Sequence, residues 1–385
     1  MYWYWFFAGP AVLLAILSLR GERRRAAYVR RRLSEAPPAQ LPVTLIVPVK
    51  GEDEGLERNL AALAAQDYPD YELMVVARAA ADIPPGVLPS SVRVLLAHGA
   101  DPETGEKVQN LAAAVRMARP SSEIFAFADS DGRPGRGWLR ALAAPLSEPG
   151  VGATTGFRWF TPEPADFWSL TRGVWDAVAF GRLGPGDNAF AWGGAMAIRK
   201  QTYLGAGVED AWKRQVSDDY SLAGAVHRAG LEIAWAPGAT TPCLDHTGAR
   251  DFFSWMRRQM LLTRFYAPGL WRPALTAHVV YCAGMAAALA AACAGNRTAL
   301  VALAGQLLPG MVKGLNRART AAACLPESRG WFRRYGWTHG ALVPLGTWLW
   351  LAALIASAFG DKIEWRGNRY SLRGSGMKGS PREDE

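Results

Sequence analysis

Apolar residues gather at the two ends of this chain, whereas its middle alternates between short apolar runs and amphipathic stretches. Residues 1–19 form an aromatic-rich apolar segment, close to the ~20 residues that an α-helix needs to span a bilayer. Arginines follow this segment directly, whereas a cleaved signal peptide carries its positive charge before the apolar core. The pattern therefore predicts a transmembrane signal anchor over residues 1–19 and a basic, proline-rich linker over residues 20–42.

Between residues 43 and 250, short apolar runs alternate with stretches of helical periodicity. The apolar, β-branched runs predict strands, at residues 43–49, 71–76, 92–96 and 124–128. Apolar spacings of three and four predict helices, at residues 56–65, 107–117 and 220–229. This alternation predicts an α/β domain with a parallel-rich sheet. Because ligands of such sheets bind beyond the carboxyl ends of the strands, residues after the first and fourth strands are expected to face one cleft.

The region after residue 250 is again rich in apolar residues. Residues 251–270 mix aromatic, Leu, Met and Arg side chains, which suits either a helix in the membrane interface or an amphipathic helix packed on the sheet. Three apolar segments then predict about three transmembrane helices within residues 271–360, at 274–294, 298–312 and 339–359. Basic residues between the last two segments place that loop on the cytosolic side. Three crossings would leave the polar tail, residues 361–385, on the outer side.

The charge of the chain points to a membrane rather than to nucleic acid. The 385 residues carry a formal net charge of +9, and much of the basic excess follows the first apolar segment. Anionic lipid headgroups attract basic residues at that position. A nucleic-acid-binding protein would more often interleave basic and aromatic residues over a folded surface. We therefore expect an integral membrane protein with the bilayer as a partner and with no nucleic-acid ligand.

Two carboxylates follow the fourth predicted strand, at Asp129 and Asp131. At this spacing they can hold one hard divalent cation, Mg²⁺ or Mn²⁺, which keeps open positions for phosphate oxygens. An ordinary acidic turn is the alternative. Candidate nucleotide contacts follow the first strand and open a helix, at Lys50, Glu52, Lys107 and Asn110. No Walker loop and no Gly-x-Gly-x-x-Gly occurs in the sequence, which argues against a P-loop ATPase and a dinucleotide oxidoreductase.

Two further clusters have both a structural and a functional interpretation. Asp218 and Asp219 open a predicted helix, where they can cap its N-terminus or one of them can act as a general base. The sequence Trp192-Gly193-Gly194 fits a bulge in a strand. It equally fits a backbone that approaches a ligand closely, with an indole face for a sugar or a lipid.

A cluster in the mixed aromatic and basic stretch has a similar ambiguity. Trp255 is followed by Arg257 and Arg258 close to the predicted membrane helices. Adjacent guanidinium groups can hold a nucleotide diphosphate as preorganised forks. They can also bind the phosphates of lipid headgroups.

The clusters occur in the order found in processive-type family 2 glycosyltransferases, and the chain more closely resembles the ceramide glucosyltransferases. The resemblance covers most of the chain, in residues 48–73, 105–111, 128–132, 192–200, 217–230 and 363–370. The first two stretches resemble nucleotide-binding segments. The others resemble the metal, acceptor-side, catalytic-base and C-terminal motifs, in that order. A related bacterial branch glycosylates hopanoid lipids, so ceramide is not the only acceptor that the resemblance implies.

The resemblance implies a GT-A-type domain whose site residues are carried over by position. Asp219 would be the catalytic base and Asp218 its acidic neighbour, while Asp129 and Asp131 would hold the metal and the diphosphate. Further contacts to the nucleotide sugar would come from Pro48, Lys50, Glu52, Lys107, Asn110, Arg257 and Arg258. The acceptor side would include Trp192, Gly193, Gly194 and Trp255.

The sequence departs from the family pattern at two places. The end of the second predicted strand, Val75-Val76-Ala77-Arg78, lacks the acid that grips uracil in the family, and Asp82 is the nearest candidate. The stretch SWMRR at residues 254–258 lacks both the Gln and the Trp of the family's QxxRW motif. The second departure argues against a processive polymer synthase, which needs that motif to guide a growing chain.

The residues and the resemblance together predict an inverting glycosyltransferase on the cytosolic face of the bacterial inner membrane. It would use Mg²⁺ or Mn²⁺ and a UDP-linked donor, UDP-glucose or UDP-N-acetylglucosamine. The acceptor would be a hydroxyl group of a membrane lipid such as ceramide or a hopanoid. A processive polysaccharide synthase and a polyprenyl-phosphate glycosyltransferase are the alternatives.

Overall fold

The structure is a computed structural model that describes residues 3–35, 41–98 and 101–373. Its strands are β1 Val43–Pro48, β2 Tyr71–Ala77, β3 Arg93–Leu96, β4 Ile124–Ala128, β5 Val151–Phe160, β6 Ala195–Arg199, β7 Glu232–Cys243, β8 Lys362–Trp365 and β9 Asn368–Ser371. Its helices are α1 Trp5–Ser34, α2 Leu56–Ala64, α3 Glu106–Arg116, α4 Trp138–Ala143, α5 Phe167–Phe180, α6 Lys200–Gly205, α7 Val208–Trp212, α8 Asp218–Arg228, α9 Ala249–Tyr266, α10 Pro268–Cys293, α11 Thr298–Cys324, α12 Arg329–Tyr335, α13 Thr338–Ala341 and α14 Val343–Ser357. Short 3₁₀ turns lie at Ala80–Asp82, Ala144–Ser147 and Pro326–Ser328.

The first seven strands form one sheet in the order β3-β2-β1-β4-β6-β5-β7. Strand β1 pairs in parallel with β2 and β4, and β2 pairs in parallel with β3. Strand β6 is antiparallel to both of its neighbours, whereas β5 and β7 are parallel to each other. The predicted α/β class with a parallel-rich sheet is therefore confirmed, and so are the four predicted strands.

Strands β5 and β7 have no counterpart among the predicted elements. Their sequences mix Gly, Thr and Pro with single aromatic residues, so that neither shows a continuous apolar run or a regular alternation. Both are buried along most of their length because they pair with each other and are covered on both faces. Tertiary burial, rather than local pattern, makes these segments strands.

Two apolar cores flank the sheet. One core contains α2 and α4 together with Tyr28 of α1 and Ala318 of α11. The other contains α3, α7 and α8, with Trp212 at its centre. Because α1 and α11 contribute buried side chains to the first core, both helices are joined to the sheet domain by packing and not only by the chain.

Helix α1 is longer than the predicted membrane anchor. It runs for 30 residues, so the part of the predicted linker from residue 20 to Ser34 continues the same helix. Buried Glu22 pairs with Arg25 at 2.7 Å and with Arg317 of α11 at 3.2 Å. Arg25 also donates to the carbonyl of Leu183 at 2.7 Å, which ties the helix to the sheet domain. Residues 1–2 of the predicted anchor and 36–40 of the predicted linker lie outside the described residues.

Among the residues that the structure describes, three helices are long and apolar enough to cross a membrane: α1, α10 and α11. Helix α11 extends well beyond the predicted segment at 298–312 and contains Pro309. Lys313, Arg317 and Arg319, predicted to lie in a loop, are therefore on this helix. A helix of 27 residues is roughly 40 Å long, enough to cross a ~30 Å hydrocarbon core and continue into the sheet domain.

Helix α14 is a shorter apolar helix within the predicted third C-terminal segment, residues 339–359. Its 15 residues span roughly 22 Å, less than the ~30 Å hydrocarbon core. Just before it, the His339 ring lies 4.6 Å from that of Trp159 in β5. At its end, the carbonyl and hydroxyl of Ser357 accept hydrogen bonds from Arg264 and Trp271, each at 2.9 Å. The start of α14 thus lies against the sheet domain, and its end lies against α9 and the start of α10. The β8–β9 hairpin then contacts the start of α3, so residues 361–373 lie on the same side as the sheet domain and not on the opposite side, as three crossings would require. Residues 374–385 of the predicted tail lie outside the described ranges.

Helix α9 covers most of residues 251–270, for which the sequence fitted either a helix in the membrane interface or a helix packed on the sheet. Phe252, Met256 and Met260 are buried on one side of it, against Trp175 of α5 and Trp350 of α14. In the structure α9 thus packs against α5 and α14 through its buried side chains. Its contact with a membrane interface stays a prediction.

Candidate active site

A cleft of about 190 Å³ opens at the carboxyl ends of β1 and β4. Its wall is built from separate parts of the chain: the segments after β1 and β4, the starts of α3 and α8, the loop before β6, helix α9 and the β8–β9 hairpin. The residues after the first and fourth strands thus face one cleft, as parallel pairing of β1 with β4 requires.

Asp129 and Asp131 both line this cleft. Burial opposes ionisation of Asp129, but the neighbouring ammonium group of Lys107 outweighs it and lowers the pKa. Burial raises the pKa of Asp131 to about 7, and the charge of Asp129 adds to the shift. The Oδ1 atom of Asp131 is buried and accepts no hydrogen bond from any described residue. Two half-buried carboxyls, one with an oxygen that accepts no hydrogen bond from any described residue, fit the oxygen-ligand preference of a hard divalent cation.

Within residues 3–35, 41–98 and 101–373, no group of three or more His, Cys, Asp or Glu side chains is arranged to hold a metal ion. A cation bound by Asp129 and Asp131 would therefore take further ligands from water and from phosphate oxygens. Mg²⁺ commonly binds in this way, through one or two carboxylates and the phosphates of a substrate. The donor set thus fits a metal that is shared with a phosphorylated ligand.

Lys107 links the two carboxylate clusters of the cleft. Its ammonium nitrogen lies 2.7 Å from Asp129 Oδ1 and 3.2 Å from Asp218 Oδ2. Burial disfavours the charged amine, but the two carboxylates hold its pKa above the usual range. Lys107, predicted as a nucleotide contact, is thus a counter-ion for two of the protein's own carboxylates in this structure. It holds the Asp-Ser-Asp segment, residues 129–131, close to the start of α8.

Asp218 and Asp219 differ in access to the cleft. Ser217 caps α8 by accepting from the amide of Tyr220, so both acids fall in the first turn of the helix. Asp218 is 3% exposed, and burial raises its pKa to about 6, against the opposing effect of Lys107. Asp219 is half-buried; its Oδ2 accepts from the amide of Gly193 at 3.2 Å and its Oδ1 from Ser217 and Tyr220. Asp219 is therefore the better placed of the two to meet a substrate.

Gly193 and Gly194 are required by the packing of this acidic cluster. A Cβ atom on Gly193 would lie 2.5 Å from the carboxylate of Asp218 and 3.0 Å from the amine of Lys107. A Cβ atom on Gly194 would lie 2.7 Å from the carboxylate of Asp129. The predicted close approach of the backbone thus occurs, but toward the protein's own acidic groups.

Trp192 and Trp255 line the same side of the cleft. Trp192 is 9% exposed and packs 6.0 Å from Phe157, measured between ring centroids. Trp255 lies 5.1 Å from Trp175. The guanidinium of Arg158 stands 5.6 Å and 5.3 Å from the Trp192 and Trp255 rings. The two indoles therefore form an aromatic wall with a cation held against it.

Three arginines, Arg158, Arg258 and Arg366, line the cleft. Arg258 lines the cleft, and burial, together with Arg158 and Arg366, lowers its pKa to about 10. Arg158 pairs with buried Asp176 at 3.6 Å. Arg257 is exposed and does not line the cleft. The structure thus brings Arg258 but not its neighbour to the site, next to charges that suit a diphosphate.

Some of the predicted nucleotide contacts line the cleft and others do not. Pro48, Lys50 and Asn110 line the cleft, whereas Glu52 is exposed and does not. The amine of Lys50 lies 2.5 Å from Glu106. Asn110 is 2% exposed, and its carbonyl oxygen has no hydrogen-bond partner among the described residues. A buried, unpartnered amide oxygen at the cleft is a candidate contact for a ligand.

The end of β2, where the family has an acid, carries Arg78 in this chain. Its guanidinium donates to the side-chain carbonyl of Gln109 at 3.2 Å. Asp82, the nearest acid in the sequence, accepts from the amide of Ala79 at 2.9 Å and closes a 3₁₀ turn. Asp82 is not among the residues that line the cleft.

The sequence did not single out several residues of the cleft, namely Glu106, Arg158, Trp365, Arg366, Asn368 and Tyr370. Arg158 lies on β5, a strand that the local pattern does not show. The last four residues belong to the β8–β9 hairpin. In the sequence, this hairpin is marked only by the resemblance of residues 363–370 to a family motif. That resemblance does not tell where the hairpin lies relative to the cleft.

Comparisons with known proteins agree with this fold. No protein with a curated description matches the sequence significantly. Among solved structures, the mannosyltransferase PcManGT from Pyrobaculum calidifontis, in complex with GDP-Man and Mn²⁺, superposes with a TM-score of 0.51. The alignment covers 91% of this chain and 97% of that chain at 21% sequence identity. Glucosyl-3-phosphoglycerate synthase from Mycobacterium tuberculosis, solved with Mn²⁺ and UDP-Glc, aligns over 63% of this chain and 83% of its own at 16% identity, with a TM-score of 0.40.

A sequence family is matched over nearly the entire length of the chain. The family described as glycosyl transferase family 21 matches residues 4–378, which includes the sheet domain, the apolar helices and the C-terminal hairpin. The protein therefore belongs to glycosyl transferase family 21 and has a GT-A-type fold.

Proposed function

We propose that the protein transfers a sugar, with inversion, from a nucleoside diphosphate donor to a hydroxyl group of a membrane lipid. One observation carries this proposal: carboxylates and arginines line one cleft whose wall, α9, leads directly into α10, a helix long and apolar enough to cross a membrane. A charged donor can enter such a cleft from water, and an apolar acceptor can reach it from the bilayer.

Asp219 is the general base in this proposal. A lipid hydroxyl oxygen attacks the anomeric carbon of the sugar and gives its proton to the Asp219 carboxylate. The bond between that carbon and the diphosphate oxygen breaks at the same time, on the opposite face, which inverts the configuration. The amide of Gly193 and the cap of α8 hold Asp219 in place. The ion pair between Asp218 and Lys107 stabilises the first turn of α8, which carries Asp219.

Asp129 and Asp131 are the proposed ligands of Mg²⁺ or Mn²⁺. When bound, the cation supplies charge neutralisation to the departing diphosphate. Lys107 keeps Asp129 ionised for this purpose, and the unpartnered oxygen of Asp131 is free to coordinate. Arg158 and Arg258 are proposed to add positive charge on the opposite wall of the cleft.

The sequence resemblance supports a specific donor and a specific class of acceptor. UDP-glucose or UDP-N-acetylglucosamine is the proposed donor, and ceramide or a hopanoid the proposed acceptor. GDP-mannose is a necessary comparison because β2 ends in Arg78 instead of an acid. The arginines of α1 lie in the C-terminal part of the helix, which packs on the sheet domain. Because basic residues next to membrane helices favour the cytosolic side, this supports a cytosolic sheet domain at a bacterial inner membrane.

The test is nucleotide release by the purified full-length protein in detergent with Mn²⁺. UDP-glucose, UDP-N-acetylglucosamine and GDP-mannose are each offered with and without lipid extract. Removal of a general base slows such a reaction by roughly 10²- to 10⁴-fold, so Asp219→Asn should lose lipid-dependent release. Asp210→Asn is the matched control, since its carboxyl is exposed on α7.

Three results would contradict the proposal. Release that does not depend on lipid would exclude the acceptor class. Full activity of Asp219→Asn toward a polyprenyl phosphate would favour a phosphate acceptor that needs no base. Addition of many sugars to one acceptor would favour a processive synthase.

A further inference from the structure

The C-terminal hairpin turns at two residues in an unusual backbone conformation. Arg366 and Gly367 have φ angles of +49° and +78°. Positive φ at both central residues is typical of a type I′ turn, in which Asn-Gly is a strongly preferred pair. Arginine is disfavoured at such a position because its Cβ crowds the backbone. Backbone outliers of this kind cluster at functional sites, which directs attention to what the Arg366 side chain contacts.

The guanidinium of Arg366 reaches into the cleft beside the predicted metal ligands. It pairs with Asp53, whose side chain is 8% exposed and also accepts from the hydroxyl of Ser130 at 2.5 Å. Burial disfavours the charge of Arg366, but Asp53 outweighs it, and Asp131 and Asp129 add to the effect, so that its pKa is raised. The hairpin thus places a cation against the Asp-Ser-Asp segment.

The hairpin is fixed over the cleft at both ends. Ile363 and Leu372 are buried in a small core with residues from α9 and from the segment before α8. At the other end, Asn368 donates to the carboxylate of Glu106 at 2.8 Å, and the hydroxyl of Tyr370 accepts from the Glu106 amide at 3.2 Å. These contacts attach the hairpin to the start of α3, and four of its residues line the cleft.

We propose that this hairpin is the roof of the donor subsite and that Arg366 binds the diphosphate of the nucleotide sugar. The inference rests on the proposed function. Asp53 holds the guanidinium in position before the donor arrives. A diphosphate brings further negative charge next to Asp129 and Asp131, and the planar fork of arginine matches two phosphate oxygens at once. The neighbouring Trp365 ring lies 5.8 Å from the guanidinium of Arg258, which places a second arginine beside the same subsite.

The experiment measures equilibrium binding of UDP and GDP, and of UMP and GMP, to the purified full-length protein with Mn²⁺. Arg366→Asn removes the guanidinium and creates Asn-Gly, so the turn is kept or strengthened. Loss of a charge-assisted contact should weaken binding of the diphosphates roughly tenfold to hundredfold, with a smaller effect on the monophosphates. The matched control is Arg369→Asn on the same hairpin. Arg369 is 83% exposed and pairs with Glu364, so its replacement should leave all affinities unchanged.

Arg366→Lys keeps the charge but not the fork, and an intermediate affinity is expected. Diphosphate affinities equal to those of the unchanged protein in both Arg366 variants would overturn the inference alone. An equal loss for monophosphates and diphosphates would also overturn it, because the contact would then not involve the diphosphate. If the unchanged protein bound no nucleoside diphosphate at all, the proposed function would fail first and this inference with it.

Discussion

Replacement of Lys107 by Met tests the electrostatic arrangement of the cleft most directly. The amine lies between Asp129 and Asp218, and its side chain is 13% exposed, against 25% and 5% for the two carboxylates. Methionine keeps most of the apolar stem but leaves both acids without their counter-ion. Removing one partner of a buried ion pair costs about 3–5 kcal/mol, and the partial exposure of Asp129 favours the lower end of that range.

The predicted loss of about 3 kcal/mol corresponds to a decrease in Tm of roughly 6 to 12 °C for a domain of this size. Thermal unfolding in detergent at pH 7.5 and pH 5 measures it. Lys107 lowers the pKa of Asp129, so this stabilisation is present above the unfolded pKa of the acid and is lost as the pH falls through the folded value. Asp218, with a pKa raised to about 6, is largely protonated at pH 5 and then needs no counter-ion. The variant should therefore be closer to the unchanged protein at pH 5.

Two further variants make the measurement specific. Lys213→Met removes an ion pair with Asp210 in which both side chains are at least 70% exposed, and should change Tm little. Adding Asp218→Asn to Lys107→Met should recover part of the lost stability, because it removes one of the uncompensated charges. An unchanged Tm in Lys107→Met at pH 7.5, or the same decrease at both pH values, would refute the electrostatic reasoning.

Two more predictions concern the same cleft. Gly193→Ala should destabilise the protein by about 1–3 kcal/mol and reduce activity, because the new methyl group meets Asp218 and Lys107; in Gly184→Ala, where the added Cβ meets open space, neither Tm nor turnover should change. Because the pKa of Asp131 is raised to about 7, protons should compete with Mn²⁺, and the Mn²⁺ affinity should fall about tenfold per unit of pH below that value. Calorimetric titration between pH 8 and pH 5.5 checks this, and an affinity independent of pH would show that Asp131 does not bind the metal.

The sequence by itself determined the elements whose cause is local. The apolar runs of β1 and β4 and the helical spacing of α2, α3 and α8 all follow from neighbouring residues. Parallel pairing in an alternating α/β pattern then required that the residues after β1 and β4 meet, so Lys50, Asp129 and Asp131 could be placed at one cleft before any coordinates.

Tertiary structure decided what depends on residues far apart in the chain. Strands β5 and β7 form because burial and mutual pairing outweigh a mixed local pattern, and only that pairing places Arg158 at the cleft. Helix α14 is apolar enough to resemble a membrane crossing, but the contact just before it and its packing against α5 hold it to the sheet domain. The chain after α14 then brings Arg366 to Asp53, which lies more than 300 residues earlier in the sequence. The local pattern of residues cannot predict this contact, because it depends on the packing of the whole domain.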